Sequence, residues 1–425
     1  MSDSPAPRPR RHDLDWLRVL AITALIFFHA AMPFVAEWGW HLKNAQTSNL
    51  LLEVNHFLHG WRMPLLFLIS GVGTAYALGR RSPARYLRER GRRLLLPLVF
   101  GSLVVVPPQI YMERLAQGVP FGSYLDFYRT VFTLRVYPAG NLSWHHLWFV
   151  AYLFLYSVAL LPLFAWLRGE RRRRATAVLA SLVDRAGLWV LALPLALPLA
   201  LLRPSFPGPQ DVVHDWAMLL HYLIWFLYGF LLSDADELWA RIEERRGTSL
   251  RWAVLGLLAV NYLRWNDLEP AMRVSSAYSL YSTLAAVTAW HWVLTVLGYA
   301  KRYLSFSNPV LRYANEGIYP IYILHQTVTV VLAFYVLPLQ EDLFAKFLFL
   351  AACTLALSWA LYEVLVRPFA VTRLLFGLRP LARGAASPAP RPAAPPDHPR
   401  TGAATSRSSA VSAPMSNGFP RKASA

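Results

Sequence analysis

Apolar residues run in long blocks along this chain, and the polar stretches between the blocks are rich in arginine. The blocks fall at 14–35, 57–78, 94–111, 144–167, 188–202, 216–232, 252–263, 279–299, 318–337 and 343–366. Most approach or exceed the ~18 residues at which an apolar run becomes a candidate membrane span. The pattern predicts an all-α, polytopic membrane protein of about ten transmembrane helices. The block at 252–263 is the weakest, and that at 188–202 is short and interrupted by Pro194 and Pro198. Pro64 and Gly71 in the second block predict a kink or a locally open backbone. Asp13 or Asp15 is placed to cap the first helix. His56 and His59 fall at the start of the second.

The flanks read differently. Residues 1–12 are rich in Pro and Arg and lack an apolar period, which predicts a disordered cytoplasmic arm. Residues 381–425, rich in Pro, Ala and Ser, predict a disordered cytoplasmic tail. The transmembrane domain is then 13–380. With the N-terminus inside, the inside connections hold about twenty Lys and Arg and the outside ones about seven. This roughly threefold bias predicts both termini in the cytoplasm, in a multi-pass protein of the inner (cytoplasmic) membrane.

Composition supports the pattern. The chain of 425 residues is 56% hydrophobic with 16 Trp, and its mean hydropathy is +0.34. That excess is too large for an ordinary soluble domain. The net charge of +18 would suggest nucleic acid in a soluble protein. Here the basic residues cluster between apolar blocks, so topology and the lipid bilayer account for them and no nucleic-acid partner is expected. The single cysteine, Cys353, excludes an intramolecular disulfide. The histidines form no H-E-x-x-H pattern, and no metal site is expected. The basic start runs into a full-length block without an A-x-A-like cleavage site, so no cleavable signal peptide is expected.

Candidate chemistry begins in the first block, LDWLRVLAITALIFFHAAMPFV. Arg18 lies near its start and His29 eleven residues on, about 16 Å along a helix axis. With Arg18 at one face of the bilayer, His29 sits near the middle. An ionisable group at that depth faces protein or a wet cavity and marks a functional site by default. A neutral imidazole is the usual general base. The alternative is a histidine that only bonds a neighbouring helix. Arg18 can bind a phosphate bidentately, or anchor the helix by snorkelling to lipid phosphates.

Six motifs then occur in order. They are Arg-x10-His (Arg18 to His29), WRMPLLFLISG (61–71), RGRRLLLPL (90–98), HLWFV (146–150), YPIYILHQ (319–326) and YEVLVRPF (362–369). Together they resemble the membrane acyltransferase-3 family over about 14–369. The HLWF and RMPLLFLISG stretches are similar to its glucan biosynthesis protein C-like members. The resemblance implies an O-acyltransferase that moves an acyl group from a cytoplasmic acyl-CoA-type donor to a hydroxyl, often on a carbohydrate of the cell envelope. It also implies that His29 and Arg18 matter for activity. Acetyl-CoA or succinyl-CoA then serves as donor substrate, with no permanently bound cofactor. Its phosphates can rest on Arg18, Arg90, Arg92 and Arg93, with the thioester reaching His29. Ser70, Trp148 and His325 are candidate oxyanion donors, with no choice among them. Arg62 and His146 are further candidate acceptor contacts. Arg62 can equally snorkel, and His145 and His146 can equally pack. Glu316 and Glu363 read as caps or as ion-pair partners of Arg312 and Arg367. The chain departs from several family members in lacking an extra extracytoplasmic hydrolase-like domain. A transporter of a sugar or lipid-linked substrate is the alternative from another class, because kinked spans and intramembrane histidines suit it too.

Overall fold

The computed structural model describes residues 10–208 and 210–380. The predicted tail, and residues 1–9 of the predicted arm, lie outside them. The described residues form helices and connections with no β-strand, only one isolated bridge between Val136 and Leu142. In chain order the helices are α1 (His12–Ala31), α2 (Asn49–Gly79), α3 (Pro83–Ala116), α4 (Tyr124–Val131), α5 (His145–Ala159), α6 (Leu161–Trp166), α7 (Glu170–Ala186) and α8 (Leu188–Leu202). Then come α9 (Trp216–Leu232), α10 (Asp236–Glu244), α11 (Arg246–Trp265), α12 (Ser276–Tyr303), α13 (Pro309–Val336), α14 (Leu343–Val366) and α15 (Ala370–Leu375).

Six of these are long and apolar enough to cross a membrane: α1 with its terminal 3-10 turn, α2, α3, α12, α13 and α14. The pair α9 and α10, bent by 110°, makes a seventh if it forms one span. The predicted block at 144–167 divides into α5 and α6. Pro162 lacks the N–H that a continuous helix would need there, so it opens α6 instead. The block at 252–263 lies within α11, a helix of 20 residues that also carries Arg246, Arg251 and Arg264.

Helix starts follow side-chain chemistry. Ser48, Ser82, Ser123, Ser275, Asn308 and Asp342 each accept a hydrogen bond from a first-turn N–H, opening α2, α3, α4, α12, α13 and α14. The first helix departs from expectation. It begins at His12 without a side-chain cap. Asp13 and Asp15 sit inside the first turn, where they favour the helix dipole and pair with Arg11 and Arg10 at 2.6 Å each. His56 and His59 also fall inside α2, because the Ser48 cap starts that helix earlier than the apolar block does. Lys43 in the following connection donates to the carbonyls of Met32 and Val35 and closes the end of α1. Burial pulls its ammonium below the ordinary lysine range.

Helix packing puts α1 in the interior. It contacts α2, α12, α13 and α14, and its polar residues therefore have protein rather than lipid around them. The closest backbone approach joins α2 to α9 through two glycines. A Cβ on Gly71 would meet the Phe226 carbonyl oxygen at 2.0 Å, and one on Gly229 would meet that of Leu68 at 1.9 Å. Without a hydrophobic drive between lipid-embedded helices, such small residues supply the contact by letting backbones touch. Gly229→Leu is therefore expected to separate α2 from α9. The check is the yield of monodisperse detergent-solubilised protein, which should fall several-fold. Gly73→Ala, in open space on α2, should leave it unchanged.

Candidate active site

The site is built by two parallel helices. Near their starts, Arg18 of α1 places Nη1 3.3 Å from Asn315 Oδ1 of α13. Further along, His29 Nδ1 lies 2.8 Å from His325 Nε2. The intervals are eleven residues on α1 and ten on α13, so the helices keep register over about 15 Å. The two imidazole planes differ by 8° and their centroids are 5.0 Å apart. With a nitrogen–nitrogen contact this short, the rings meet edge to edge rather than face to face.

Hydrogen bonding determines where the protons sit in this pair. His325 Nδ1 is 2.6 Å from the Tyr322 carbonyl oxygen. A carbonyl only accepts, so His325 Nδ1 carries a proton. With both rings neutral, His325 Nε2 is then an acceptor and His29 Nδ1 the donor. That leaves the lone pair of His29 on Nε2, which has no hydrogen-bond partner among the described residues. Thr329 Oγ1 donates to the His325 carbonyl at 2.8 Å and ties down the following turn.

Aromatic and amide groups enclose the pair. Trp40 lies along His29 with ring centroids 5.2 Å apart. His146 stands edge-on to His325 at 5.3 Å, and its Nε2 donates to the Ile323 carbonyl at 3.0 Å. Its Nδ1 is left buried and unpartnered. Asn55, fully buried, donates to the Phe28 carbonyl at 3.2 Å. Trp148 belongs to an aromatic wall with Phe67, Tyr152 and Tyr222.

Arg62 does not snorkel. It is 2% exposed, and its guanidinium lies 4.2 Å over the Phe28 ring, one residue from His29. Among the described residues, its Nε and Nη1 have no hydrogen-bond partner. A charged Arg at membrane depth costs about 2.5–3.5 kcal/mol even on insertion scales. A cation–π contact returns only about 0.5–2 kcal/mol. The balance is unfavourable unless an anion or a developing negative charge completes the site.

The other predicted residues divide. Arg18, with 37% of its side chain exposed, pairs loosely with Asp15 at 3.5 Å and lies within electrostatic reach of Arg90. Arg90 donates to Thr74 Oγ1 at 2.9 Å. Arg93 pairs with Glu89 at 3.3 Å, and its carbonyl accepts from Tyr319 at 3.0 Å. Arg92 and Arg93 lie in a π turn, Gly91–Leu95, that interrupts α3, and Arg92 is exposed. Ser70 donates its hydroxyl proton to its own helix at the Leu66 carbonyl, 2.7 Å away. Glu363 pairs with Arg367 at 2.8 Å as expected. Glu316 pairs instead with Arg373 of α15 at 2.9 Å.

Sequence reasoning missed Trp40, Asn55, Asn315 and Tyr322. One signal was present for Asn315, whose spacing to His325 nearly repeats that of Arg18 to His29. Nothing in the sequence marks Trp40, which arrives through a connection. An open cleft of about 860 Å³ lined by Trp40, His41, Lys43, Gln117, Phe334 and Tyr335 lies at the end of the bundle away from Arg18 and Arg90. Trp40 thus borders both the cleft and His29.

Comparison with known proteins gives the same reading over most of the chain. A family model described as an acyltransferase domain, acyltransferase type 3, matches residues 11–363. Glucans biosynthesis protein C of Salmonella paratyphi A (strain ATCC 9150 / SARB42) is 24% identical over 393 residues, covering 89% of this chain and 97% of the relative. The protein of the same name from Salmonella typhimurium is 24% identical over 396 residues, covering 89% and 98%. With its apolar helices and a family match from the first turn of α1 to the end of α14, the chain belongs to the acyltransferase-3 family of membrane O-acyltransferases.

Proposed function

We propose that this protein transfers a small acyl group, acetyl or succinyl, from acyl-CoA to a hydroxyl of a carbohydrate or other cell-envelope acceptor. His29 serves as general base. The observation that carries the reading is the hydrogen-bonded line from His29 through His325 to the Tyr322 carbonyl. It orients a buried imidazole and leaves His29 Nε2 with a free lone pair. In this reading Nε2 takes the acceptor hydroxyl proton as that oxygen attacks the thioester carbonyl. Arg62 donates to the oxygen that gains negative charge. The tetrahedral intermediate then collapses, the carbon–sulfur bond breaks, and the CoA sulfur leaves with the proton returned from His29.

The donor's charged end belongs with Arg18 and Arg90, with Arg92 and Arg93 on the adjoining turn. The chain then spans the inner membrane about ten times with its termini and arginines in the cytoplasm, and the acceptor approaches through the cleft beside Trp40. The relatives' name suits a glucan-type acceptor. The test is release of free CoA thiol from acetyl-CoA and from succinyl-CoA by the purified protein, with envelope glycans as acceptors. Arg18→Gln is expected to raise the apparent KM for acyl-CoA about tenfold with little change in kcat, as loss of one charge-assisted contact of about 1.5 kcal/mol would. An unchanged KM makes Arg18 a membrane anchor only. Absence of thiol release with every donor, alongside uptake of labelled sugar into vesicles, would favour a transporter.

A further inference from the structure

We propose that His41, Glu113 and His145 form a binding site for a divalent, zinc-class cation at the end of the bundle away from Arg18 and Arg90. Three separate segments bring them together: the connection after α1, the last turns of α3, and the start of α5. Each residue offers one ligand atom, and the three atoms lie within 4.8 Å of one another. An ion about 2.0–2.2 Å from each would hold them roughly 3.5 Å apart, so the 2.5 Å contact between His41 Nδ1 and Glu113 Oε2 would open by about 1 Å as the ion replaces it.

The surroundings resemble a shell built to hold ligands. Glu113 is 3% exposed. Its Oε1 accepts from Tyr137 at 2.8 Å and from Gln117 at 3.1 Å, and its Oε2 faces His41 Nδ1 at 2.5 Å. His41 Nε2 lies 3.3 Å from Gln326 Nε2, the amide next to His325. Tyr137 and Gln117 are second partners of the kind that metal-bound carboxylates characteristically have on their outward side, whereas the Gln326 amide N–H donates to His41 Nε2.

His145 supplies the independent observation. Its Nδ1 lies 2.6 Å from Ser143 Oγ, and its backbone N–H donates to the same oxygen at 3.0 Å. These contacts set the ring and hold a backbone φ of 40°, in the left-handed region that side chains seldom adopt. Nε2 is thereby left buried and without a partner among the described residues, while its ring stands 4.7 Å from that of His41. A hydrogen-bond network alone accounts for His41 and Glu113 but leaves this nitrogen unexplained. A cation accounts for all three. Two histidines and one glutamate form a donor set that suits zinc and leaves a fourth position open. His41 also lines the cleft, so an ion has an access path.

The test needs no acyl transfer. The purified full-length protein, stripped with chelator in detergent, is equilibrated with Zn²⁺ or with Co²⁺ and desalted. The expected result is one zinc per chain and, with cobalt, the visible absorption of a four-coordinate site. His145→Gln and Glu113→Gln should each weaken retention at least about tenfold. His214→Gln, at an exposed histidine elsewhere, should not. Failure of the unmodified protein to retain zinc overturns the site. So does retention by His145→Gln equal to that of the unmodified protein. Should Glu113→Gln not fold, the cobalt spectrum of the unmodified chain and the His145→Gln comparison still decide.

Discussion

His29→Gln is expected to lower acyl transfer by about 10²–10⁴-fold, the range that a positioned general base contributes, while the protein still inserts and purifies. The argument rests on proton positions. In the hydrogen-bond line from Tyr322 to His29, only His29 Nε2 is left with a free lone pair. Glutamine can keep the bond to His325, but it cannot take a proton. His325→Gln separates orientation from chemistry. It should reduce kcat by roughly 10²-fold or more, as misorienting a catalytic imidazole does. Its pH–rate profile should shift as well, because the partner of His29 Nδ1 has changed. A purely structural His325 would reduce the amount of folded enzyme but leave the profile of the remainder in place. Full activity in His29→Gln would remove the base from the mechanism. The readout in each case is thiol release at saturating donor.

Arg62→Met should produce the second large effect, and the two halves of the expectation point in opposite directions. Activity should fall about 10²–10³-fold, the usual consequence of removing one donor to a developing oxyanion. Thermal stability should stay level or rise, because the substitution replaces a buried guanidinium lacking a counter-charge with an apolar side chain of similar length. Arg62 is 2% exposed and two of its nitrogens are unpartnered, so little favourable bonding is lost. A residue kept only for packing would show the reverse, with lower stability and unchanged kcat. Measuring melting temperature and kcat on the same preparations distinguishes the two outcomes.

Much of this protein could be read from its linear pattern. Apolar blocks interrupted by arginine runs determined a helical membrane protein, and the order of six short motifs determined its family. The axial spacing between Arg18 and His29 was legible too, since it follows from helix rise alone. Breaks in the helices were less so. Pro162 divides one block, and Ser48 starts α2 earlier than the apolar pattern does, because capping and missing donors act locally and outweigh hydropathy there.

Partnership was decided only by the tertiary structure. His29 and His325 are 296 residues apart in sequence, and no local propensity specifies that they meet. The meeting follows from α1 and α13 running parallel in register, which depends on how the whole bundle packs. The same holds for Arg62, where the choice between snorkelling and burial turned on which face of α2 meets Phe28. It holds again for Ser70, whose hydroxyl is taken by its own helix. A sequence determines which groups can carry charge or a proton. The packed fold determines which of them lose water, which acquire a partner, and which retain an unused lone pair or N–H with which to act.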